Sequence, residues 1–375
     1  MMNIINLCQN LIQFPSITPM DKGIMRYLVS VLEPLGFTCH LLPWMDANNN
    51  IVHNLYARRG TESPNLCFAG HVDVVPVDEE SSWSYPPFEG RIYNTSIWGR
   101  GAVDMKGAIA AFISAAADLN HKGSISVLLT GDEEGPATHG TIKVVEWLEQ
   151  QKETIDFCIV GEPTSDEILG DTVKIGRRGS VSGLLTVKGT QGHVAYPHKA
   201  ENPIPKMIKL LSTLDGIELD QGYLNFQPSN LELTSVNVNN YASNVIPELI
   251  TANFNVRFNP TYTTLSLKQY LRDVLDAQDI VYNLEFNEGS DPFLTSEHPA
   301  IQHVIQSIQS IQKLTPQIST SGGTSDARFI RKIAPVVEIG LLNDTAHKVD
   351  EHVPIKDLEA LARIYKMFIN LYLNT

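Results

Sequence analysis

Seven acidic or imidazole side chains stand out by type and spacing. His71 and Asp73 sit two residues apart in Gly70-His71-Val72-Asp73, and Asp104 falls in Gly99-Arg100-Gly101-Ala102-Val103-Asp104-Met105-Lys106-Gly107. Glu133 and Glu134 form a doublet after Asp132, Glu162 precedes a proline, and His347 lies in a late loop. Two histidines and three carboxylates without a cysteine suit Zn²⁺, Co²⁺ or Mn²⁺ better than a Cys-rich structural site. Five ligands (His71, Asp104, Glu134, Glu162 and His347) exceed what one catalytic zinc with an open position takes. They suit two cations roughly 3.5–4 Å apart with one bridging carboxylate. Asp73 is spaced to fix the His71 imidazole. Of the Glu133-Glu134 doublet, one acid can bind metal and the other stay free as a general base. Each part alone has an ordinary use. A histidine after a strand is commonly a loop residue, a Glu pair a solvated face, Asp104 a helix N-cap and Glu162 turn chemistry. The constellation outweighs its parts because each follows a strand pattern or opens a helix.

Those patterns position the set. Residues 66–69, 125–129, 157–160 and 335–340 are short apolar runs that read as buried strands, with helical stretches at 106–119 and 141–150 between them. His71, the Glu133-Glu134 doublet, Glu162 and His347 each follow one of these strands. In open α/β sheets, sites gather outside the carboxyl ends of the strands, so one rim is expected to carry all five ligands. The middle has another rhythm. Residues 181–188 alternate with period two, 203–214 read as a helix opened by Pro203, and 231–238 and 249–258 read as strands. A helix at 265–277 and a strand at 281–286 complete β-α-β-β-α-β, a ferredoxin-like unit. The expected organisation is an α/β catalytic domain in two pieces, 1–178 and 292–375, with an α+β domain inserted at 179–291.

Composition excludes several classes. Lys and Arg number 28 against 42 Asp and Glu, a net charge of −14. That balance argues against nucleic acid, which needs a basic face, and against anionic membranes. The longest apolar stretch, 108–117, is far short of the roughly 20 residues of a membrane span. The first residues lack the basic and apolar segments of a signal peptide. Cys8, Cys39, Cys67 and Cys158 are scattered without a CxxC pair and read as reduced thiols of a cytoplasmic protein.

The same residues carry a resemblance. Gly70-His71-Val72-Asp73, the Gly99 to Gly107 segment and Asp132-Glu133-Glu134-Gly135 resemble the co-catalytic zinc peptidase and deacylase superfamily, which includes aminoacylases and acetylornithine deacetylases. Gly176-Arg177-Arg178-Gly179-Ser180, Gly192-His193-Val194-Ala195-Tyr196-Pro197-His198, Ala200-Glu201-Asn202-Pro203 and Gly322 through Ile330 are similar to its desuccinylase branch, as is Asn343 to His347 with Glu351. The likeness runs from the first helix to the last with no ligand missing. Gly131 stands where a serine is common, and Thr138-His139 fall in a variable stretch. The resemblance implies a zinc-peptidase-like α/β catalytic domain with an inserted ferredoxin-like dimerisation (lid) domain. It also implies two Zn²⁺ per subunit, with Co²⁺ or Mn²⁺ able to substitute at the second site. His71 and Glu162 would hold one zinc, Glu134 and His347 the other, and Asp104 would bridge, with a cis bond to Met105. Asp73 would support His71, and Glu133 would be the general base. His193 would reach the partner subunit's site in a homodimer. Arg178, Tyr196, Asn244, Arg257, Thr324 and Asn343 would contact substrate. The implied substrate is N-succinyl-LL-2,6-diaminopimelate, cleaved to succinate and diaminopimelate in lysine and cell-wall precursor synthesis. An acetylornithine deacetylase or dipeptidase would differ in the pocket, not the metals. A non-catalytic relative would lack Glu133 or a ligand, and this chain has them all.

Overall fold

The computed structural model describes residues 3–77, 79–117 and 121–374. In chain order these form α1 (Ile4–Ile12), α2 (Ile24–Leu32), β1 (Thr38–Met45), β2 (Ile51–Arg59), β3 (Asn65–His71), α3 (Lys106–Ala117), β4 (Ser124–Thr130), α4 (Thr141–Gln151), β5 (Phe157–Val160) and β6 (Thr172–Lys174). Then come β7 (Gly179–Lys188), α5 (Pro203–Asp215), β8 (Asn230–Asn237), β9 (Leu249–Phe258), α6 (Thr264–Asp276) and β10 (Asn283–Phe286). The chain closes with α7 (Pro299–Gln312), β11 (Gln317–Ser319), α8 (Ala327–Ile330), β12 (Val336–Glu338) and α9 (Ile355–Leu373), besides short two- and three-residue strands. Contacts divide the chain into two compact units. The first holds residues up to Gly176, Thr295–Ser319 and those from Ser325 on; the second holds Arg177–Leu294 with Thr320–Thr324.

The first unit is built on an eight-stranded sheet in the order β1-β2-β4-β3-β5-β12-β6-β11. Its centre is parallel: β3 runs beside β4 and β5, and β12 runs beside β5. Every residue of β3, β4, β5 and β12 is buried. Strands covered on both faces carry continuous apolar runs, which is why these four were legible. The edge pair β1-β2 mixes polar and apolar residues and gave no such run. α3 is buried all round, its alanines allowing close approach to the sheet. Residue 119, the expected end of this helix, lies outside the described residues. α9 packs on α3. Phe112 of α3 stacks on Phe68 of β3 at 4.4 Å, and Tyr365 of α9 donates its hydroxyl to Ile339 O at 2.6 Å. At Gly70 a Cβ would come within 2.3 Å of the Met105 Cε, so the Met105 side chain packs directly against the strand backbone here.

The second unit is a four-stranded antiparallel sheet in the order β8-β9-β7-β10. With α5 and α6 this is the ferredoxin-like order. Alternate residues of β7 and β9 face one core, where Val181, Leu185, Phe254, Val256 and Phe258 meet Met207, Leu210 and Leu214 of α5 and Leu267, Leu271 and Leu275 of α6. Gly183 lies opposite Phe254, whose ring fills the space a Cβ would take. The unit reaches beyond the expected 179–291. Arg177 Nη1 donates to Ser321 O at 3.0 Å, and the Thr320 hydroxyl donates to Asn225 O, so 320–324 packs with the second unit rather than with the neighbours that follow it in sequence. Among the described residues no helix is long and apolar enough to cross a membrane.

Candidate metal centre

Parallel strands deliver the side chains. His71 ends β3, and the Glu133-Glu134 doublet follows β4 after two residues, Gly131 and Asp132. Glu162 stands two residues past β5, and His347 sits in the loop after β12. The loops after β5 and β12 are zipped together where Ser165 pairs with Leu342. The Asp104–Met105 peptide bond is cis.

His71 Nδ1 lies 2.8 Å from the backbone oxygen of Asp73. A carbonyl only accepts, so Nδ1 carries the hydrogen and Nε2 presents its lone pair. That Nε2 is 2.9 Å from Asp104 Oδ1 and 3.8 Å from Glu162 Oε1. On the other side His347 Nε2 is 2.8 Å from Glu134 Oε1 and 3.2 Å from Asp104 Oδ2. Two donor groups therefore form, His71 with Asp104 and Glu162, and Asp104 with Glu134 and His347. Within each, the ligand atoms lie within 4.8 Å of one another, and Asp104 belongs to both. A lone pair facing a carboxylate oxygen is repulsive unless positive charge lies between them. A proton supplies it in the metal-free protein; a divalent cation fits the same donors. This chemistry fits a pair of cations sharing Asp104.

The electrostatics report that demand. Burial opposes protonation of His71, but the hydrogen bond to Asp104 and the charges of Glu162, Asp104 and Glu133 outweigh it and hold the imidazole well above its usual range. Hydrogen bonds to Asp104 and Glu134 push half-exposed His347 up to about 10. Burial disfavours the charged form of Asp104, yet the His347 and His71 hydrogen bonds prevail and hold it below the usual carboxylate range. Glu133 goes the other way. Burial and the charge of Glu162 raise it well above an ordinary glutamate, with Asp326 and Glu134 adding to the effect. Glu133 also lies within ligand distance of His71 and Glu134.

Asp73 departs from its expected task. Its backbone oxygen, not its carboxylate, takes the His71 Nδ1 hydrogen; the nearer carboxylate oxygen is 3.8 Å from Nδ1. The carboxylate instead accepts the Glu133 amide at 3.3 Å and the Glu134 amide at 3.0 Å. Burial pushes it up to about 6, against the lowering charge of His71. Asp104 does not serve as a simple helix cap, since its carboxylate faces two imidazoles. Sequence reasoning assigned nothing to Asp326, which is buried, takes the Thr141 hydroxyl at 2.7 Å and raises Glu133. Its place inside the Gly322 to Ile330 motif was the available signal.

Asn343 is exposed in the first unit, its amide donating to Ser165 O at 3.0 Å. The other expected recognition residues belong to the second unit. Arg178 donates to Asn230 Oδ1 at 2.7 Å, and Arg257 sits opposite Asn230 in the β8-β9 register. Burial, and then the charge of Arg257, lowers Arg178. His193 is exposed in a short ribbon that pairs it with Val245, next to Asn244. Its Nδ1 accepts the Ala195 amide at 3.0 Å, which leaves Nε2 as the hydrogen-bearing atom of the neutral ring. Tyr196 is exposed, with its ring 5.7 Å from that of His193, and Thr324 is part-buried at the end of the 320–324 segment.

The sequence profile of Peptidase family M20/M25/M40 matches residues 67–371. A succinyl-diaminopimelate desuccinylase of Xanthobacter autotrophicus is 50% identical over 372 residues, covering 98% of this chain and 99% of that protein. The protein of the same name from Pelagibacter ubique is 48% identical over 379 residues, covering 99% of each. Among solved structures, the M20 family metallo-carboxypeptidase Sso-CP2 from Sulfolobus solfataricus aligns with a TM-score of 0.81 at 20% identity over 99% of both chains, a likeness of fold.

Proposed function

The chain belongs to Peptidase family M20/M25/M40, and on that premise we propose that it is a metal-dependent amide hydrolase cleaving N-succinyl-LL-2,6-diaminopimelate to succinate and LL-2,6-diaminopimelate. The observation that carries the reading is the pair of three-donor groups joined through Asp104, with Glu133 beside them. Full-length similarity to desuccinylases supports the substrate.

In this reading His71, Asp104 and Glu162 would hold one cation and Asp104, Glu134 and His347 the other; both would be zinc, with Co²⁺ or Mn²⁺ able to replace it at the second position. Bound there, two cations acidify a water and polarise the scissile carbonyl. The chain's own residues do the rest. Glu133, in its ionised form, takes the proton from water and returns it to the departing amine; the neighbouring negative charges that raise it make it a stronger base than an ordinary glutamate. Asp73 holds the Glu133 and Glu134 amides and so fixes where the base stands. His193, contributed by a second copy of the chain in a homodimer, donates from Nε2 to the developing oxyanion; the commitment of its Nδ1 to Ala195 supports this. Arg178 and Arg257 are close enough for one charge to depress the other. Such a pair suits a carboxylate, which takes guanidinium bidentately. A local basic pair can attract a polyanionic substrate to a protein of net charge −14. Tyr196, Asn244, Thr324 and Asn343 complete the proposed contacts. Four free thiols, three of them buried, fit a cytoplasmic location.

The test is hydrolysis by zinc-reconstituted protein of a panel of N-succinyl and N-acetyl amino acids and dipeptides. Release of diaminopimelate from its succinylated form, with little turnover of the rest, is expected. Preferential cleavage of acetylornithine or a dipeptide, or no cleavage of any acylated amine, refutes the reading.

A further inference from the structure

Glu351 falls within a motif that the proposed chemistry leaves without a task. It is fully buried, yet it is a carboxylate. Its Oε2 accepts Arg100 Nη1 and the Gly101 amide, each at 2.9 Å. Its Oε1 accepts the Val103 amide at 2.9 Å and the Asp104 amide at 3.1 Å. Four donors nearly exhaust the acceptor capacity of a carboxylate. Three of them are backbone groups of the turn that ends in Asp104, a concave run of amides of the kind that holds anions.

The other end of the connection is the His347 loop. Glu351 lies four residues after His347, and its backbone oxygen accepts the Gly99 amide at 2.8 Å. Arg100 Nη1 also donates to Lys348 O at 3.2 Å. His347 and Asp350 both take left-handed backbone, at φ 61° and 63°. Residues other than glycine rarely adopt it, and they keep it where surroundings enforce it. The surroundings here are the Glu351 contacts, the Ser84 amide and hydroxyl on Asp350 at 2.7 and 2.8 Å, and the Thr345 hydroxyl on His352 O at 3.0 Å.

We propose that Glu351 is a positioning residue that fastens the turn presenting Asp104 to the loop presenting His347, so that two donors from distant parts of the chain form one cation site. The inference rests on reading Asp104 and His347 as ligands. Glu351 itself faces backbone amides and Arg100, and it touches neither substrate nor cation.

The test compares Glu351→Gln and Glu351→Asp with the wild type and with Asp104→Ala. Gln keeps the shape but turns a donor toward donors; Asp keeps the charge but withdraws the oxygens by one methylene. Zn²⁺ affinity and stoichiometry are read by competition with a chromophoric chelator, coordination by the visible spectrum of Co²⁺-loaded protein, and folding by circular dichroism. Removing a group that orients metal ligands typically weakens affinity about 10–100-fold, and that loss is expected for both Glu351 variants, with an altered Co²⁺ spectrum. At saturating Zn²⁺ the kcat should return to near wild type with KM unchanged. A folded variant with wild-type affinity and spectrum, or a loss of kcat that excess Zn²⁺ does not restore, overturns the proposal, as does failure of both variants to fold, which makes Glu351 a folding residue. If Asp104→Ala binds Zn²⁺ like the wild type, the reading of Asp104 as a ligand fails, whatever Glu351 does.

Discussion

Replacing Asp73 with Asn separates two tasks that a carboxylate at this position could have. The wild-type carboxylate accepts the Glu133 and Glu134 amides at 3.3 and 3.0 Å, while His71 Nδ1 donates to the Asp73 backbone oxygen. Asn keeps that backbone bond and offers one oxygen to one amide. Its NH₂ then faces the other amide, donor against donor. A hydrogen bond to a charged group contributes about 1.5–3 kcal/mol. If the loss falls on the placement of the base in the transition state, kcat drops by about tenfold to a hundredfold, at 1.36 kcal/mol per decade. The one oxygen stays on the closer Glu134 amide and the Glu133 amide loses its acceptor, so Zn²⁺ affinity stays close to wild type: His71 keeps its tautomer and Glu134 its anchor. The assay is a chelator-competition titration beside steady-state kinetics at saturating Zn²⁺. A large loss of Zn²⁺ affinity, with kcat restored by excess metal, would refute the argument and give the carboxylate its task at the donors, His71 or Glu134, rather than at the base.

Three further outcomes follow. Glu133→Ala should lose turnover by at least the 10²–10⁴-fold that general acid–base catalysis typically contributes (roughly), while the protein still binds two Zn²⁺ per chain by atomic emission; near-normal turnover would remove Glu133 as the base. His193→Ala should be slow on its own, and mixing it with Glu133→Ala should recover activity in verified mixed dimers if His193 acts across the dimer; no recovery counts against sharing. In chelator-stripped protein the pairing of His347 raises its folded-state pKa from 6.5 to about 10. A raised pKa adds stability that is full below the unfolded value and lost as pH climbs through the folded one. The Tm difference between wild type and His347→Ala should therefore be largest below pH 6.5 and shrink as pH approaches 10; a difference that grows with pH would contradict the assignment.

The parts of this fold that sequence made legible share one physical property. β3, β4, β5 and β12 are buried on both faces, so burial forced unbroken apolar runs, and the candidate donors follow those runs. β7 and β9 were legible for the opposite reason: one face is buried and the other is not, giving period two. β1, β2, β6 and β11 lie toward the sheet's edges, where mixed or three-residue segments leave little pattern. Membership of 320–324 in the second unit depends on hydrogen bonds to Asn225 and Arg177, which no local pattern encodes. The candidate donors were readable because metal chemistry restricts them to a few residue types. The support was not. Asp73 and Glu351 both act on backbone amides, and a backbone amide is the same in every sequence.

One pocket also has to keep four neighbouring carboxylates from behaving alike. Asp104 is stabilised as the anion because two imidazoles face it from opposite sides. Glu134 shares one of those imidazoles at 2.8 Å. Glu133 is flanked instead by the negative charges of Glu162, Asp326 and Glu134, and His71 only partly offsets them. Environments that push acids apart assign their roles: the group held ionised is fit to ligate, and the group pushed toward its neutral form is fit to hold and release a proton. In the proposed reading Glu133 is the acid so pushed, which fits the task of a base. Asp73 accepts both the Glu133 and the Glu134 amide, so one carboxylate fixes the backbone from which both side chains start.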